Sequence, residues 1–493
     1  MIQGGQGDGN ILIIGSGVGG LTAGIILAKM NRRVTVVEKN PLPGGLMRSY
    51  MKSGIECPVG VHYMGSLSEG QPLRRLWDYI GVTPFIPIER MGRDGVIDRY
   101  IFDDFTFDLP DGIDAYEDNL RRMFPLEHTR IAVIMDELRK ISRSLFSLDI
   151  LMSPEASFLS PENFESMGEA LQRMSCSPRL LAVLGVPPTL IGVPLQECPV
   201  YYYHMTLASY LLSSWRLACS GSDMAQAFVS RLKSLGGNVE TGDGVERILV
   251  ESGRIKGIVL NSGRILEGAT VIAAIHPRIL ISMLPEDALR PTYVERIAHL
   301  ANTKGIFAVN CAVDADTYEA LPYNIYRLSA DKDGTLSHGL FHQLRKSGQP
   351  GINILSMMTT SGIDEWRKWE GTTSGRRGRD YMEAKEEKTR RCINEASKIF
   401  GHLTVMKVLD SYTPLTIRDR VNSPEGSAYG ILRSAGQLMK AATLRRTSIE
   451  GLFIAGQSSM APGIMGTMLG SFQAVRQVIG HKTFSKEVMG DFQ

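Results

Sequence analysis

Six residues near the amino terminus, Gly15-Ser16-Gly17-Val18-Gly19-Gly20, have the types and spacing to hold a pyrophosphate. Glycines at 15, 17 and 20 fit the G-x-G-x-x-G pattern. The first permits a tight turn, the second lets the backbone approach phosphate, and the third lets a helix pack close to a strand. The N–H groups that open the helix then face the phosphate charge. Glu38 lies 18 residues beyond Gly20, where a carboxylate accepts hydrogen bonds from ribose hydroxyls. Gly19 and Lys39 complete this first dinucleotide-binding set. A different chemistry is available at His62 and Tyr63, because an imidazole or a phenol can deliver a proton to a bound substrate. The apolar neighbours Val61 and Met64 leave open the plainer reading that both are satisfied core residues. No Ser/His/Asp set, paired carboxylates or metal-ligand spacing stands out, so no metal site is expected and a cofactor should carry the chemistry.

Such residues need a strand, a turn, a helix and a second strand to position them. Asn10 to Ile14 reads as a short buried strand. The segment Leu21 to Met30 places Leu21, Ile25 and Ala28 on one helical face. Val34 to Val37 is a second β-rich run ending at Glu38, which completes one βαβ unit. Short strand patterns return between Gly237 and Ile275, with a hairpin break at Ser252-Gly253, and again from Leu452 to Ala455 before a glycine-rich loop and a helix. The stretches between have mixed texture and include a charged helix from about Asp380 to Phe400. The fold class expected is α/β: a discontinuous Rossmann-type domain built from residues 8–76, 216–282 and 411–482, with an inserted mixed α+β substrate domain from 77–215 and 283–410.

Further motifs narrow the reading. Pro43-Gly44-Gly45-Leu46-Met47-Arg48 resembles the second phosphate-and-flavin loop of the amine oxidase and phytoene desaturase superfamily. There Gly44 and Gly45 would let the backbone lie against the cofactor, and Arg48 would offset pyrophosphate charge or remain a surface residue. Gly451 to Gln457 resembles the same superfamily's G-L-[FY]-x-x-G strand, and Pro462-Gly463-Ile464-Met465-Gly466-Thr467-Met468 resembles the helix start beneath the flavin ring. The resemblance implies FAD, bordered by Gly456, Gly463, Ile464, Met465 and Val245 in addition to the first set. Exposed N–H groups at that helix start would favour reduced flavin.

Gly60-Val61-His62-Tyr63-Met64-Gly65, Arg377 to Tyr381, Thr413 to Thr416 and Ser423 to Gly430 resemble the retinol saturases and carotenoid isomerases. The sequence departs from the saturase pattern at Ala428, where that pattern has a cysteine, so FAD is expected to be non-covalent. The resemblance implies an oxidoreductase acting on C=C bonds of an apolar isoprenoid or polyene, by saturation, desaturation or isomerisation, with reduction slightly favoured. The alternatives are a flavin amine oxidase and a non-catalytic flavin or isoprenoid carrier. One dinucleotide fingerprint is present, so the electron donor or acceptor is left unassigned.

Bulk properties bound the partners. A formal net charge of +2 gives no field that would attract nucleic acid. The six cysteines are scattered without C-x-x-C pairs, as in a cytoplasmic protein. The polar, glycine-rich first nine residues do not read as a signal peptide. Peripheral membrane contact is a further expectation, because the substrate is greasy. Tyr201 to Leu212 offers an apolar, aromatic edge that could equally be core, and the arginines around Arg376 and Arg391 offer headgroup partners or a solvated helix face.

Overall fold

The computed structural model describes residues 9–152, 164–445 and 447–492. At its centre five parallel strands lie in the order Asn238–Thr241, Val34–Glu38, Ile11–Ile14, Thr270–Ala273, Leu452–Ile454. Every residue of Ile11–Ile14 and Val34–Glu38 is buried, the pattern of strands covered on both faces. The helix Val18–Lys29 packs between the helices Gly463–Ile479 and Gly221–Ser234, so sequence from both ends of the chain closes over one face of the sheet. A three-stranded antiparallel sheet, Val245–Glu251, Arg254–Leu260 and Ile265–Glu267, leans on the other face through Ile248, Ile258 and Leu260. Its hairpin turns at Ser252 and Gly253, with φ of 49° and 73°. Left-handed backbone at both central positions is what a two-residue hairpin needs.

The rest of the molecule is built on a seven-stranded sheet, ordered Val405–Tyr412, Gly305–Asp314, Ile352–Ser361, Leu336–Lys346, Asn324–Ala330, Asp98–Ile101, Thr106–Leu109. Its pairings are antiparallel except for Asn324–Ala330 with Asp98–Ile101. The charged helix Arg379–Phe400 covers one side through Tyr381, Cys392 and Ala396. A helical layer containing Ile113–Met123, His128–Ser147 and Val200–Leu212 lies beyond the other.

The last of these helices corrects an expectation. Tyr201 to Leu212 is not an exposed edge: Tyr202, Tyr203 and His204 are at most 1% exposed. A helix apolar all round belongs in the interior, and this one walls a cavity. Of the arginines offered to lipid headgroups, Arg376, Arg379, Arg390 and Arg391 are exposed and only Arg377 is withdrawn from the surface. Arg377 is buried against Asp419, while Arg379 and Arg391 pair with Glu383 and Glu387 one turn along their own helix. Among the described residues no helix is long and apolar enough to cross a membrane.

Candidate active site

The glycine turn between Ile14 and Val18 is held by a carboxylate. Glu38 Oε2 accepts from the Ser16 N–H at 3.1 Å and the Ser16 hydroxyl at 2.7 Å. Glu38 Oε1 accepts from the backbone and side-chain nitrogens of Asn40 at 2.9 and 2.8 Å. The second glycine loop is tied to the same turn, because the Gly44 N–H donates to the Ser16 carbonyl at 3.0 Å and reaches the Ser16 hydroxyl at 3.2 Å. Each glycine meets a distinct demand. A Cβ on Gly20 would sit 1.9 Å from the Gly15 carbonyl oxygen, so this glycine permits close packing of strand and helix. A Cβ on Gly19 would meet the Gly456 Cα at 2.9 Å. The first motif therefore touches the last, and the Ser471 hydroxyl donates to the Gly19 carbonyl at 2.8 Å beside that contact. A Cβ on Gly17 would meet nothing within 4 Å and would project into open space.

That space is a cavity of about 1180 Å³. One small-molecule site takes about 300–1,000 Å³, so this volume accommodates a dinucleotide together with a second ligand. Gly15, Gly17, Gly19, Glu38, Lys39, Gly44, Gly45, Val245, Gly456, Gly463, Ile464 and Met465 line it. Gly20 does not, in keeping with its packing role. Arg48 does not either: its Nη1 donates to the Leu42 carbonyl at 3.0 Å and its Nη2 to the Arg420 carbonyl at 3.5 Å. Two helices, Val18–Lys29 and Gly463–Ile479, start at the cavity wall with no side-chain cap and no acid in the first turn. Uncapped helix starts present free N–H groups and the positive end of the helix dipole to an anionic ligand. With the open face of Gly17 and the Glu38 carboxylate at the end of its strand, these features fit a dinucleotide.

Away from this cradle the wall becomes aromatic. The Tyr63 and Tyr210 rings meet at a tilt of 48° with centroids 4.8 Å apart, Phe341 lies 5.1 Å from Tyr326, and His62 lies 5.6 Å from Phe341. Met205, Leu328 and Tyr429 extend the surface. Both predicted residues, His62 and Tyr63, reach the chamber, but their environments differ. Among the described residues neither His62 ring nitrogen makes a well-aligned hydrogen bond, although the Gln343 side chain and the Val59 backbone stand beside it. Burial, followed by the nearby Arg345 cation, pulls its pKa down to about 4. Near pH 7 this favours the neutral imidazole. Tyr63 instead heads a polar chain. Its hydroxyl donates to Asp98 Oδ2 at 2.9 Å and shares a second hydrogen bond with Tyr326 Oη at 2.9 Å. Asn324 Nδ2 donates to Asp98 Oδ1 at 2.8 Å, and Arg216 Nη2 donates to Asn324 Oδ1 at 2.7 Å. Burial pushes the Asp98 carboxyl up to about 6, even against its hydrogen bonds from Asn324 and Tyr63.

Sequence reasoning missed Asp98, Tyr326 and Arg216. A cue existed for the first. In the run Asp98-Arg99-Tyr100-Ile101-Phe102, two-residue alternation sets Asp98 on the face of Tyr100 and Phe102, and an acid on an apolar face is an anomaly.

Comparison with known proteins now bears on this geometry. A model of the NAD(P)-binding Rossmann-like domain matches residues 13–80. An all-trans-retinol 13,14-reductase of Danio rerio is 23% identical over 94% of this chain and 85% of its own length. The chloroplastic prolycopene isomerase of Arabidopsis thaliana is 24% identical over 96% and 83%. This chain is a distant relative of both. The relationship to retinol 13,14-reductases and prolycopene isomerases runs nearly end to end, so it includes the aromatic chamber as well as the cradle. A solved oxidoreductase from Methanosarcina mazei superposes with a TM-score of 0.67 at 16% identity, covering 95% of this chain and 99% of that one, which shows the shared fold.

Proposed function

We propose that this protein binds FAD non-covalently and acts as an oxidoreductase on the C=C bonds of an apolar polyene, with reduction the favoured direction. The observation that carries the reading is one continuous cavity that joins the uncapped helix starts to the aromatic chamber with its buried phenol–carboxyl chain. The Glu38 end would take the adenosine ribose, and the starts at Val18 and Gly463 would take the pyrophosphate and the electron-rich edge of the ring. Reduced FAD, when bound, supplies a hydride to one alkene carbon. The protein's own task is to orient the polyene among Tyr210, Tyr326, Phe341 and Met205, exclude water, and hold a proton at Tyr63 and Tyr326.

The amine oxidase alternative is less well served. Among the described residues, the acids on the cavity wall are Glu38 at the cradle and the exposed Glu197 and Glu365. None stands in the aromatic part, so a charged amine buried there would lack a counter-ion. No cysteine lines the cavity, which supports non-covalent attachment. Acid precipitation of the yellow protein should therefore release all colour to the supernatant; colour kept in the pellet would contradict this.

The reaction is tested by reducing the holoprotein anaerobically, mixing it rapidly with all-trans-retinol or a linear carotene, and weighing the product. A gain of two hydrogens means reduction and an unchanged mass with a new retention time means isomerisation. Polyenes that neither change nor reoxidise the flavin would remove the proposal.

A further inference from the structure

On this functional reading, alkene reduction consumes one proton for each hydride, and the proton must be delivered to a substrate held among aromatic side chains. We propose that Asp98, Tyr63 and Tyr326 form a proton relay whose last hydroxyl, Tyr326 Oη, protonates the alkene carbon that does not receive the hydride.

The hydrogen bonds fix how such a relay runs. Tyr63 and Tyr326 line the cavity, whereas Asp98 lies behind them and is 1% exposed. When Asp98 is ionised, its Oδ2 takes the Tyr63 proton, and the Tyr63 oxygen in turn attracts the Tyr326 proton. Both phenol protons are then drawn toward the carboxylate and away from the substrate. When Asp98 is protonated the chain can reverse: Asp98 donates to Tyr63, Tyr63 donates to Tyr326, and the Tyr326 proton is free to face the cavity.

The balance of the step explains why a carboxyl stands behind the phenols. Burial holds both phenol pKa values well above the usual range, so a phenolate left in this chamber is costly. In the relay the Tyr326 O–H bond breaks as the C–H bond forms. Tyr326 regains a proton from Tyr63, Tyr63 regains one from Asp98, and the negative charge ends on Asp98. There Asn324 already donates a hydrogen bond, and the Arg216 guanidinium is anchored by Asn324 Oδ1 and the Leu321 carbonyl. The two electrons enter the product as hydride from reduced flavin. Solvent returns the proton to the chain between turnovers. The titratable groups facing Asp98 are Tyr100 on its own strand, Tyr63, Tyr210 on the helix Val200–Leu212, Tyr326 on the neighbouring strand and Arg216 on Ser214–Leu217. Of these, only Arg216 is charged near neutral pH.

Because the protonated carboxyl is the working form, its population falls as pH rises through about 6, and the reduction step should slow with it. The experiment has an arm that needs no turnover. Infrared difference spectra of the FAD-loaded holoprotein, titrated across this range, should show a protonated-carboxyl band that disappears with rising pH and is missing in Asp98→Asn. Single-turnover mixing of the pre-reduced holoprotein with all-trans-retinol should then show reduction falling about 100-fold or more in Asp98→Asn and in Tyr326→Phe, as loss of a general acid does. Flavin content should be unchanged in both, and Tyr326→Phe should retain the carboxyl band, which confirms that its chamber is folded. Full-rate reduction by either variant, or a carboxyl band unaltered in Asp98→Asn, would overturn the relay. A wild-type protein that shows the titrating band yet reduces no polyene would instead overturn the functional reading, and the relay's task with it.

Discussion

Gly17→Ala should give a folded protein that no longer retains its cofactor, whereas Gly20→Ala should not fold stably. The two positions belong to the same motif and lie three residues apart, yet their surroundings are opposite. Gly17 has φ of −66° and ψ of 177°, backbone that alanine adopts without strain, and its added Cβ would meet nothing within 4 Å. The cost to the cofactor-free protein is about 1 kcal/mol at most, the loss expected when glycine gives way to alanine at a helix N-cap. The methyl group does, however, enter the wall of the cradle where the backbone must approach a pyrophosphate. A loss of close approach worth about 3 kcal/mol lowers affinity roughly 100-fold. At Gly20 the added Cβ would lie 1.9 Å from the backbone oxygen of Gly15. Neither partner is a flexible side chain, so helix and strand must separate, at about 3 kcal/mol or more. Thermal melts of the cofactor-free proteins, together with flavin titrations, distinguish the two. A Gly17→Ala protein that keeps a full complement of flavin would show that the cradle does not hold the pyrophosphate.

That contrast also shows what a sequence can reveal about such a site. The motif from Gly15 to Gly20 was legible because its logic is local: a turn, a helix start and a strand within one short stretch. The contact of Gly19 with Gly456 was not, because nothing in either segment states that it will meet the other. Arg48 shows the limit from another side. A cation beside a glycine loop suggests a phosphate partner, but the Leu42 carbonyl lies six residues back and competes for the same guanidinium. The aromatic run Tyr201-Tyr202-Tyr203-His204 was ambiguous for a physical reason. A helix apolar on every face has the same composition whether it is buried in protein or lies against lipid, and only packing decides. The chamber itself draws on loops, two strands of the large sheet and that buried helix, so its geometry is a property of the tertiary fold. The proton chain hides furthest of all, since Asp98, Tyr326 and Tyr63 are scattered over 263 residues of sequence and meet within two hydrogen bonds.

Glu38 carries the last and most revealing expectation. Its sequence position assigns it to the ribose, which predicts that Glu38→Ala weakens the cofactor and leaves the fold alone. The structure adds a second role: the carboxylate accepts four hydrogen bonds, two from Ser16 and two from Asn40, while 6% exposed. Alanine would strand the buried Ser16 N–H beside a void, and an unsatisfied buried donor costs about 1–3 kcal/mol. The Ser16 hydroxyl would also lose its anchor, leaving the second glycine loop tied to this turn through the Gly44 N–H and the Ser16 carbonyl alone. Glu38→Ala should therefore lower the melting temperature of the cofactor-free protein and raise the flavin dissociation constant by at least about tenfold, since a hydrogen bond to a charged group contributes about 1.5–3 kcal/mol. Glu38→Gln separates the two roles. Its amide oxygen can still accept from the Ser16 N–H and hydroxyl, so the turn should remain closed, but its NH2 would face the two Asn40 donors, so the melting temperature should fall less than in the alanine variant. The charge and one acceptor atom are gone, so ribose affinity should still fall. A glutamine variant that binds flavin as tightly as the parent would mean that Glu38 serves the turn alone and that the ribose is held elsewhere.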